Sequence, residues 1–414
     1  MAQQGKINTL FLSYDGMTDS LGQSQVLPYL VGLSKHNYHI TIISFEKEEV
    51  FEKNKATIQQ IADTNQIIWQ PLKYTKKPPV FSTIYDVYWL KKLVKKQIKA
   101  NNIQIIHCRS YITALIGLWA KKQFGTKFIF DMRGFWADER VDGKIWNIEH
   151  PLYRKIYQFF KKKEIEFLQN ADYTISLTHN AKNEILSWEN FTKNKPRIEV
   201  IPCCVDTNLF NKEKVDIQQV ENWKQKLQIQ DSDFVLTYLG SVGTWYMLDE
   251  MMAFFAQLKS KITNAKFLFI NKDEHQHILE VAKKYNVEDS VILQGGNRTE
   301  VPALLSLSAI SIFFILPSYS KKASSPTKQG ELMALQIPIV CNAGVGDTDF
   351  VVERYHSGFI VRDFKYDAII EQIHQEHWHQ IFDLDKIRNG AIDYFSLANG
   401  IEKYANVYTK VLSS

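Results

Sequence analysis

The sequence predicts an α/β protein of two domains, each built on a parallel β-sheet with helices between its strands. Its 414 residues are about twice the length of a typical domain of roughly 100 to 200 residues. Hydrophobic residues make up 45% of the chain and charged residues 23%, which is typical of a packed core and excludes a disordered protein. Short apolar runs alternate with helical patterns, and the alternation restarts after Phe210. We therefore expect one sheet on each side of that point.

The first half contains apolar runs that suit parallel strands buried on both faces. These predicted strands lie at residues 7–12, 40–44, 103–107, 127–131, 173–177 and 199–201. Helical patterns lie between them, at residues 23–34, 85–100, 112–123 and 151–170. Such helices supply the right-handed crossovers that join neighbouring parallel strands.

The second half repeats this arrangement. Strands are predicted at residues 234–239, 266–270, 291–294, 310–315 and 337–341, with helices around 248–259 and 331–335. We place the domain boundary at residue 212, which gives domains of residues 1–212 and 213–395. In open α/β sheets, ligands bind beyond the carboxyl ends of the strands. The two sheets are therefore expected to face one another across a cleft, with functional residues in the loops that follow the strands.

The segment 319–331 combines several features of an anion site. Ser325 is placed to cap a helix beginning at Pro326, a residue favoured at the first helical position. The open N–H groups and the dipole of such a helix start attract anions, and Lys328 adds a full positive charge. Glu331, one turn later, could accept hydrogen bonds from ribose hydroxyls. The segment thus suits a nucleotide diphosphate, although an ordinary capped helix with a structural glutamate remains an alternative.

Two further loops of the second half suit phosphate groups. Gly240 and Gly243 follow a predicted strand and let the backbone approach a ligand closely, although any strand-to-helix turn can use glycine. Arg298 follows another strand and could clamp a phosphate with two hydrogen bonds, or could be an ordinary surface arginine. The predicted nucleotide-binding residues are Gly240, Ser241, Gly243, Thr244, Asn297, Arg298, Pro326, Thr327, Lys328 and Glu331.

The first half has a second group of candidate residues. Asp131 and Arg133 follow a predicted strand and lie beside Phe135 and Trp136. A charged pair with aromatic neighbours suits a sugar or a phosphate, although a structural ion pair is the alternative. Other loop residues with side chains or turns suited to sugar hydroxyls are Asp15, Asp19, Gly22, Gln23, Gln25 and Arg109.

The charge of the chain is unevenly distributed. Residues 1–210 contain 29 Lys and Arg against 20 Asp and Glu, whereas the remainder contains 21 against 25. A basic first half suits an anionic membrane or an anionic lipid-linked substrate, or is simply a solvated basic surface. Nucleic acid is disfavoured as a partner, because no known nucleic-acid-binding motif accompanies the lysines.

Metal, disulfide and membrane signals are weak. Asp347 and Asp349 form an Asp-x-Asp triplet, but without an identifiable third ligand we predict no metal site. The spacing of the four cysteines predicts neither a metal site nor a disulfide, so reduced thiols in the cytoplasm are expected. We find neither a signal-peptide pattern nor an apolar run of about 20 residues.

At its loops the sequence resembles the family 4 glycosyltransferases, which have the GT-B fold of two Rossmann-like domains. The resemblance extends through nearly the whole chain. Its most specific part is similar to the Glu-x7-Glu hallmark of the family and ends with residues 330–340. The other similar segments are residues 21–23, 171–176, 200–206 and 238–240.

This resemblance implies transfer with retention of anomeric configuration, without a metal or another cofactor. It implies that the C-terminal domain holds a nucleotide diphosphate sugar as donor, and that the N-terminal domain holds the acceptor. Asp131, Arg133 and Lys328 are then the expected catalytic residues. The family also implies that a final helix, at about residues 400–412 within a returning segment 396–414, packs on the first domain.

Three positions depart from the family pattern. Ala323 replaces the first glutamate of the hallmark, so only Glu331 is kept, at the ribose-binding position. Ser241 stands where the family has an arginine, and Lys328 and Arg298 are candidates to supply the missing charge. Arg133 stands where the family has a histidine in its cleft.

The sequence thus predicts a retaining glycosyltransferase that acts on a glycan or lipid-linked acceptor in surface-polysaccharide synthesis. We expect it in the cytoplasm, with peripheral contact to the anionic inner face of the membrane. The alternatives are a sugar-nucleotide epimerase or phosphorylase on the same fold and, given Ala323 and Ser241, a non-catalytic nucleotide-sugar-binding protein.

Overall fold

The protein, analysed as a computed structural model, is described over residues 6–272, 275–375 and 377–413. The outermost predicted domain bounds, residues 1 and 414, lie outside these described residues. The chain divides into two compact units, one of residues up to 202 together with those from 397 onwards, and one of residues 203–396. The division falls before Cys203 rather than near residue 212. The reason is that Val205 forms a β-bridge with Ser396 and Phe210 lies in the second core.

The first unit is built on a parallel sheet with the strand order β3-β2-β1-β4-β5-β6-β7. The strands are β1 (Ile7–Ser13), β2 (Tyr38–Glu46), β3 (Ile68–Lys73), β4 (Ile105–Arg109), β5 (Lys127–Asp131), β6 (Tyr173–Ser176) and β7 (Ile198–Val200). The helices up to β7 are α1 (Ser20–Gln25), α2 (Leu27–Ser34), α3 (Glu48–Thr64), α4 (Phe81–Asn101), α5 (Ser110–Phe124), α6 (Trp136–Asp142), α7 (Pro151–Asn170) and α8 (His179–Ser187).

Every strand predicted in the first half is present, with shifts of at most two residues at its ends. The strand predicted at residues 103–107 is found at Ile105–Arg109, so Arg109 ends a strand instead of following it. The single helix predicted at residues 23–34 is wrong, because the non-helical backbone of Val26 separates α1 from α2. Strand β3 was missed because it contains Pro71 and is only partly buried, both of which suit an edge strand.

The second unit is built on another parallel sheet, with the order β10-β9-β8-β11-β12-β13. Its strands are β8 (Phe234–Leu239), β9 (Ala265–Ile270), β10 (Val291–Gln294), β11 (Ile310–Phe313), β12 (Ile339–Asn342) and β13 (Gly358–Val361). Its helices are α9 (Ile217–Lys226), α10 (Leu248–Lys261), α11 (His275–Lys284), α12 (Val301–Leu305), α13 (Thr327–Ala334), α14 (Thr348–Tyr355), α15 (Asp367–His374) and α16 (Leu384–Phe395). The sequence did not predict β13, a short and half-buried strand at the edge.

The last helix, α17 (Leu397–Leu412), belongs to the first unit. Ile401 packs so closely against α2 that a Cβ atom at Gly32 would lie 2.3 Å from the Ile401 Cδ1 atom. The absence of a side chain at Gly32 therefore lets the two helices approach each other.

Among the residues that the structure describes, no helix has both the length and the apolar character needed to cross a membrane.

Gly358 lies at a close approach of two backbones in the second sheet. It is paired with Ile339, and a Cβ atom at residue 358 would lie 1.9 Å from the Ile339 carbonyl oxygen. Gly358→Ala therefore forces β13 away from β12. We expect it to lower the free energy of unfolding by about 2 to 3 kcal/mol, measured by thermal unfolding followed by circular dichroism.

Gly295→Ala is the matched control in the same unit. The nearest atoms would lie 3.5 Å from its Cβ, an ordinary contact distance, so the melting temperature should stay within about 2 °C of the wild-type value. Equal melting temperatures for the two variants would contradict this account of the sheet edge.

Candidate active site

Helix α13 begins at Thr327, one residue later than the sequence predicted. Pro326 is the N-cap residue, with an extended backbone (φ −67°, ψ 116°). The prediction that Ser325 caps this helix is wrong, because Ser325 lies one residue before the cap position. Its hydroxyl instead accepts a hydrogen bond of 3.1 Å from the backbone nitrogen of Cys203, and so holds the chain that leads into α13.

Lys328, in the first turn of α13, is a buried lysine enclosed by tyrosines. Only 7% of the residue is exposed. Its Nζ atom lies 4.1 Å from the ring centre of Tyr238 and 3.9 Å from that of Tyr246, and it donates a 3.1 Å hydrogen bond to the Tyr238 hydroxyl. Burial lowers the pKa of Lys328 to about 7, although the carboxylate of Glu331 opposes this shift. An anion beside this lysine would therefore favour its charged form.

The loop that follows β8 lies against the Lys328 side chain. Gly240 has a positive φ of 111°, and a Cβ atom there would lie 3.3 Å from Lys328 Nζ. Asn271 Nδ2 donates a 2.7 Å hydrogen bond to the Gly240 carbonyl oxygen, and the Tyr238 hydroxyl donates to that of Ser241. Two segments that are far apart in the sequence, residues 240–241 and the start of α13, are thus brought together at the carboxyl end of the sheet.

Glu331 lies one helical turn after Lys328 and is also buried. Arg298 Nη1 donates a 3.1 Å hydrogen bond to Glu331 Oε1, and the Arg298 guanidinium lies 5.3 Å from the ring centre of Phe210. Burial raises the pKa of Glu331, and Arg298 opposes this shift. The arginine predicted as a phosphate clamp therefore forms an ion pair with the glutamate predicted to bind ribose.

The other predicted residues of this unit lie in the same loops. Ser241 and Thr244 are exposed, and the Gly243 carbonyl oxygen accepts a 2.9 Å hydrogen bond from the Tyr246 nitrogen. Asn297 accepts a long hydrogen bond of 3.5 Å from Lys272 Nζ at its side-chain oxygen.

Sequence reasoning missed a second buried lysine in this unit. Lys321 lies in a short 3-10 turn, Ser320–Ala323, with only 5% of the residue exposed. Its Nζ atom is 3.6 Å from the ring centre of Trp245. The sequence contains a signal for this contact. Trp245 directly follows the Gly240 loop and Lys321 precedes α13, and the sequence analysis had already assigned both segments to phosphate binding.

In the first unit, charged residues gather where β4 and β5 end. Asp131 and Arg109 are the last residues of these paired strands, and both are buried. Arg133 Nη1 lies 3.9 Å from Asp131 Oδ1, and Arg109 Nη1 lies 3.5 Å from Asp15 Oδ2. Burial raises the pKa of Asp131, but Arg133, His107 and Arg109 together outweigh burial and leave the pKa below its usual value. Asp131 is therefore an ionised carboxylate among cations.

His107, which the sequence analysis did not select, completes this cluster. Its Nδ1 atom lies 2.8 Å from the Tyr408 hydroxyl, and its Nε2 atom lies 3.5 Å from Asp131 Oδ2. The Tyr404 hydroxyl donates a 3.1 Å hydrogen bond to the same Asp131 oxygen. Burial lowers the pKa of His107 although Asp131 opposes the shift, so the ring is neutral at physiological pH. The alternation of a β-strand places His107 on the same face as Arg109, which is the signal that could have identified it.

The loop between β1 and α1 is fixed by the buried carboxylate of Glu46, another residue that the sequence analysis did not select. Glu46 accepts hydrogen bonds from the backbone nitrogens of Met17 and Thr18 at 2.8 and 3.1 Å. The hydroxyls of Thr18 and Ser44 also donate to it, each at 2.5 Å. Glu46 could have been identified because it is the last residue of β2, which ends at the same edge of the sheet as the neighbouring β1.

The predicted loop residues are placed around this carboxylate. Asp19 accepts a 2.9 Å hydrogen bond from Lys47, and Gln23 Nε2 donates a 2.8 Å hydrogen bond to the Thr18 carbonyl oxygen. Gln25 is buried. Gly22 packs against the loop so tightly that a Cβ atom there would lie 2.1 Å from a backbone oxygen.

The two aspartates of the Asp-x-Asp triplet have structural partners. Tyr394 donates a 2.6 Å hydrogen bond to Asp347, and the backbone nitrogen of Gly344 donates a 3.3 Å hydrogen bond to Asp349. Within residues 6–272, 275–375 and 377–413, no group of three His, Cys, Asp or Glu side chains is arranged to hold a metal ion.

Two family profiles match consecutive parts of the sequence. The profile described as Glycosyltransferase Family 4 matches residues 25–209, and the profile described as Glycosyl transferases group 1 matches residues 219–376. The chain belongs to the family 4 glycosyltransferases. It is therefore a glycosyltransferase, and the predicted family, enzyme class and GT-B fold class are confirmed.

Solved glycosyltransferase structures share the fold of this family 4 member. A glycosyltransferase from Rickettsia africae is 18% identical, with a TM-score of 0.70 over 98% of this chain and 99% of the other. Sucrose-phosphate synthase from Thermosynechococcus elongatus is 14% identical, with a TM-score of 0.72 over 99% and 100%. HepE from Anabaena, solved in complex with UDP and glucose, is 12% identical, with a TM-score of 0.68 over 97% and 99%. No curated protein matches the sequence significantly.

Glu46 should be essential for the loop between β1 and α1. In Glu46→Gln, one oxygen is replaced by an NH2 group that faces hydrogen-bond donors. We expect a loss of about 2 to 4 kcal/mol in the free energy of unfolding, measured by urea denaturation.

Glu48→Gln is the matched control. Glu48 is exposed and lies 2.8 Å from Lys73, and such a surface ion pair is worth about 0 to 1 kcal/mol. A similarly small effect for Glu46→Gln would show that its four hydrogen bonds do not hold the loop.

Proposed function

We propose that this family 4 glycosyltransferase moves a sugar from a nucleotide diphosphate sugar to a glycan or lipid-linked acceptor, with retention of anomeric configuration. One observation carries the proposal: the buried ammonium of Lys328 lies against the Gly240 loop at the start of α13, with the Glu331 carboxylate one turn further on. This arrangement suits a diphosphate followed by a ribose. The complex of the similarly folded HepE from Anabaena with UDP and glucose supports a nucleotide-sugar donor.

In this proposal, the second unit stabilises the leaving diphosphate. Lys328 and the first N–H groups of α13 at Thr327 would face the charge that develops as the glycosidic bond breaks. The backbone of residues 240–244 would surround the phosphates, with Asn297 beside them. Glu331 would accept the ribose hydroxyls, oriented by Arg298, whose remaining N–H groups would reach the phosphates. These cationic groups would replace a metal ion.

The first unit would hold the acceptor through polar groups at the ends of β1, β4 and β5. Asp131 and Arg133 would position the reacting hydroxyl, and Arg109 and Asp15 would bind neighbouring groups of the acceptor. The loop residues Asp19, Gly22, Gln23 and Gln25 would shape this site. In retaining transfer of this kind, the departing phosphate takes the acceptor proton, so the reaction does not require a separate carboxylate base.

The setting that we propose is surface-polysaccharide synthesis in the cytoplasm, with peripheral contact to the inner face of the membrane. It is supported by the basic first half, where 29 Lys and Arg are opposed by 20 Asp and Glu. An anionic lipid-linked acceptor would be attracted by this charge.

Lys328→Met tests the proposed diphosphate site. The substitution keeps the length of the side chain and removes its charge, so we expect kcat/KM for the donor to fall about 100- to 1000-fold. Glu331→Gln should lower it about tenfold through weaker ribose contacts. Both are measured by release of nucleoside diphosphate from a panel of nucleotide sugars in the presence of acceptor.

Lys322→Met provides the control, because Lys322 is exposed near the same helix and should retain wild-type turnover. Wild-type turnover for Lys328→Met and Glu331→Gln as well would place the donor elsewhere. If the donor were converted to an isomeric nucleotide sugar without any acceptor, the reaction would be epimerisation and not transfer.

Donor affinity should depend on pH through Lys328. Its pKa of about 7 means that the ammonium is already charged below pH 7, whereas above pH 7 a proton must be taken up when the diphosphate binds. We therefore expect the Kd for donor to rise up to about tenfold per pH unit above about pH 7. Isothermal titration calorimetry in buffers of different ionisation enthalpy measures both the affinity and the proton uptake.

Lys328→Arg serves as the comparison, because a guanidinium remains charged throughout this range. It should bind the donor without this pH dependence. The same pH profile in both proteins would assign the titration to another group.

A further inference from the structure

The first turns of helix α4 in the first unit present apolar side chains to solvent and polar ones to the core. Its buried face begins with Ser82 and Asp86, which are 5% and 2% exposed. The opposite face of the same turns carries aromatic and aliphatic side chains with exposures between 40% and 71%. These are Phe81, Ile84, Tyr85, Tyr88 and Trp89. Water-exposed helices of globular proteins have the reverse pattern, so this face calls for a partner.

Hydrogen bonds to Asp86 fix this orientation. The Tyr14 hydroxyl donates a 2.8 Å hydrogen bond to Asp86 Oδ2, and the backbone nitrogen of Thr75 donates one of 3.2 Å to the same atom. Rotating the helix to bury its aromatic face would expose Asp86 and break both bonds. The exposed apolar stripe is therefore built into the fold.

A row of lysines continues the apolar stripe along the helix. Asp86 is the only acidic residue in the sequence of α4, and it is buried, so the exposed face has positive charge alone. Two exposed lysines, Lys76 and Lys77, precede the helix. The exposed lysines within α4 are Lys91, Lys92, Lys95, Lys96 and Lys99. We call the exposed apolar residues and these five lysines of the helix the α4 surface.

A second apolar group lies around the start of α7. Helix α5 contacts both α4 and α7, and the crossovers that contain these helices run in the same direction across the sheet, so all three cover one face of it. The exposed apolar residues of this group are Ile145, Ile148, Leu152 and Phe159. The apolar surface on this face of the sheet is therefore not confined to one helix.

We propose that the α4 surface binds an anionic lipid bilayer, with its aromatic half inserted at the interface and its lysines at the headgroups. Aromatic rings beside a lysine row suit that boundary, where apolar bodies and charged tips meet different surroundings. A second copy of the chain fits less well, because a symmetric contact through this surface would bury the lysines of both copies with no acidic side chain of the α4 surface to pair with them. The proposal rests on the peripheral membrane contact of the proposed function and names the surface that makes this contact, and it holds whichever sugar the enzyme transfers.

The test is flotation of the full-length protein with vesicles. Wild-type protein should bind vesicles of phosphatidylcholine with about one third phosphatidylglycerol, should bind much less to phosphatidylcholine alone, and should dissociate as salt rises. Lys92→Gln/Lys95→Gln/Lys96→Gln should lower the partition coefficient about 100-fold. Phe81→Ser/Ile84→Ser/Tyr88→Ser should lower it at least about tenfold on both kinds of vesicle.

Control variants remove the same charge, or an exposed apolar side chain, elsewhere. Lys35→Gln/Lys193→Gln/Lys195→Gln changes three exposed lysines of the same unit, and Ile217→Ser changes an isoleucine that is 78% exposed in the second unit. Both controls should partition within about twofold of wild type, and all variants should keep wild-type melting temperatures. They should also hydrolyse the donor in solution at wild-type rates, so a failure of lipid binding is distinguishable from a failure of the proposed catalytic function.

Three outcomes would overturn the proposal. Wild-type protein could fail to float with anionic vesicles, or the charge-control variant could lose as much binding as the α4 lysine variant. The third outcome concerns the molar mass measured by light scattering. Wild-type protein could be oligomeric and the apolar α4 variant monomeric, while the two bind lipid equally. That result would assign the α4 surface to self-association.

Discussion

The candidate site of the second unit depends on the burial of one ammonium group, that of Lys328. A buried lysine without a full counterion is costly, and the protein meets this cost with the tyrosine rings around Lys328 and a pKa that falls to about 7. The backbone of Gly240 completes the enclosure, and its φ of 111° is one that residues with a side chain rarely adopt. In our proposal the donor diphosphate supplies the counterion that this lysine lacks.

Much of the fold and part of the candidate site could be predicted from the sequence, because both depend on patterns within short segments. Apolar runs located the buried central strands, a helix start located Lys328 and Glu331, and a strand end located Asp131. Edge strands β3 and β13 were missed because their burial is partial. Glu46 and His107 were missed because, although their positions in strands could have marked them, the partners that define their roles lie 28 and 301 residues away.

The two units handle buried charge in different ways. In the first unit, the Asp131 carboxylate lies near the guanidinium groups of Arg133 and Arg109, so opposite charges meet. In the second unit, Lys328 and Lys321 lie against aromatic rings, and Ala323, which replaces the usual glutamate of the hallmark, is buried. Of the departures from the family pattern, Ala323 removes a negative charge and Ser241 removes a positive one, so together they do not change the net charge of the second unit. The buried Lys328 nevertheless favours an anionic ligand, because an anion beside it would stabilise its charged form.

Helix α17 also has a consequence for the order of folding. The first unit needs Tyr404 and Tyr408 to satisfy Asp131 and His107, yet a ribosome translates these tyrosines only after the whole second unit. During translation the nascent first unit therefore exposes the groove along α2 and leaves its charged cluster incomplete. The second unit, continuous in sequence, can reach its native state earlier, and the first unit closes only when α17 emerges from the exit tunnel.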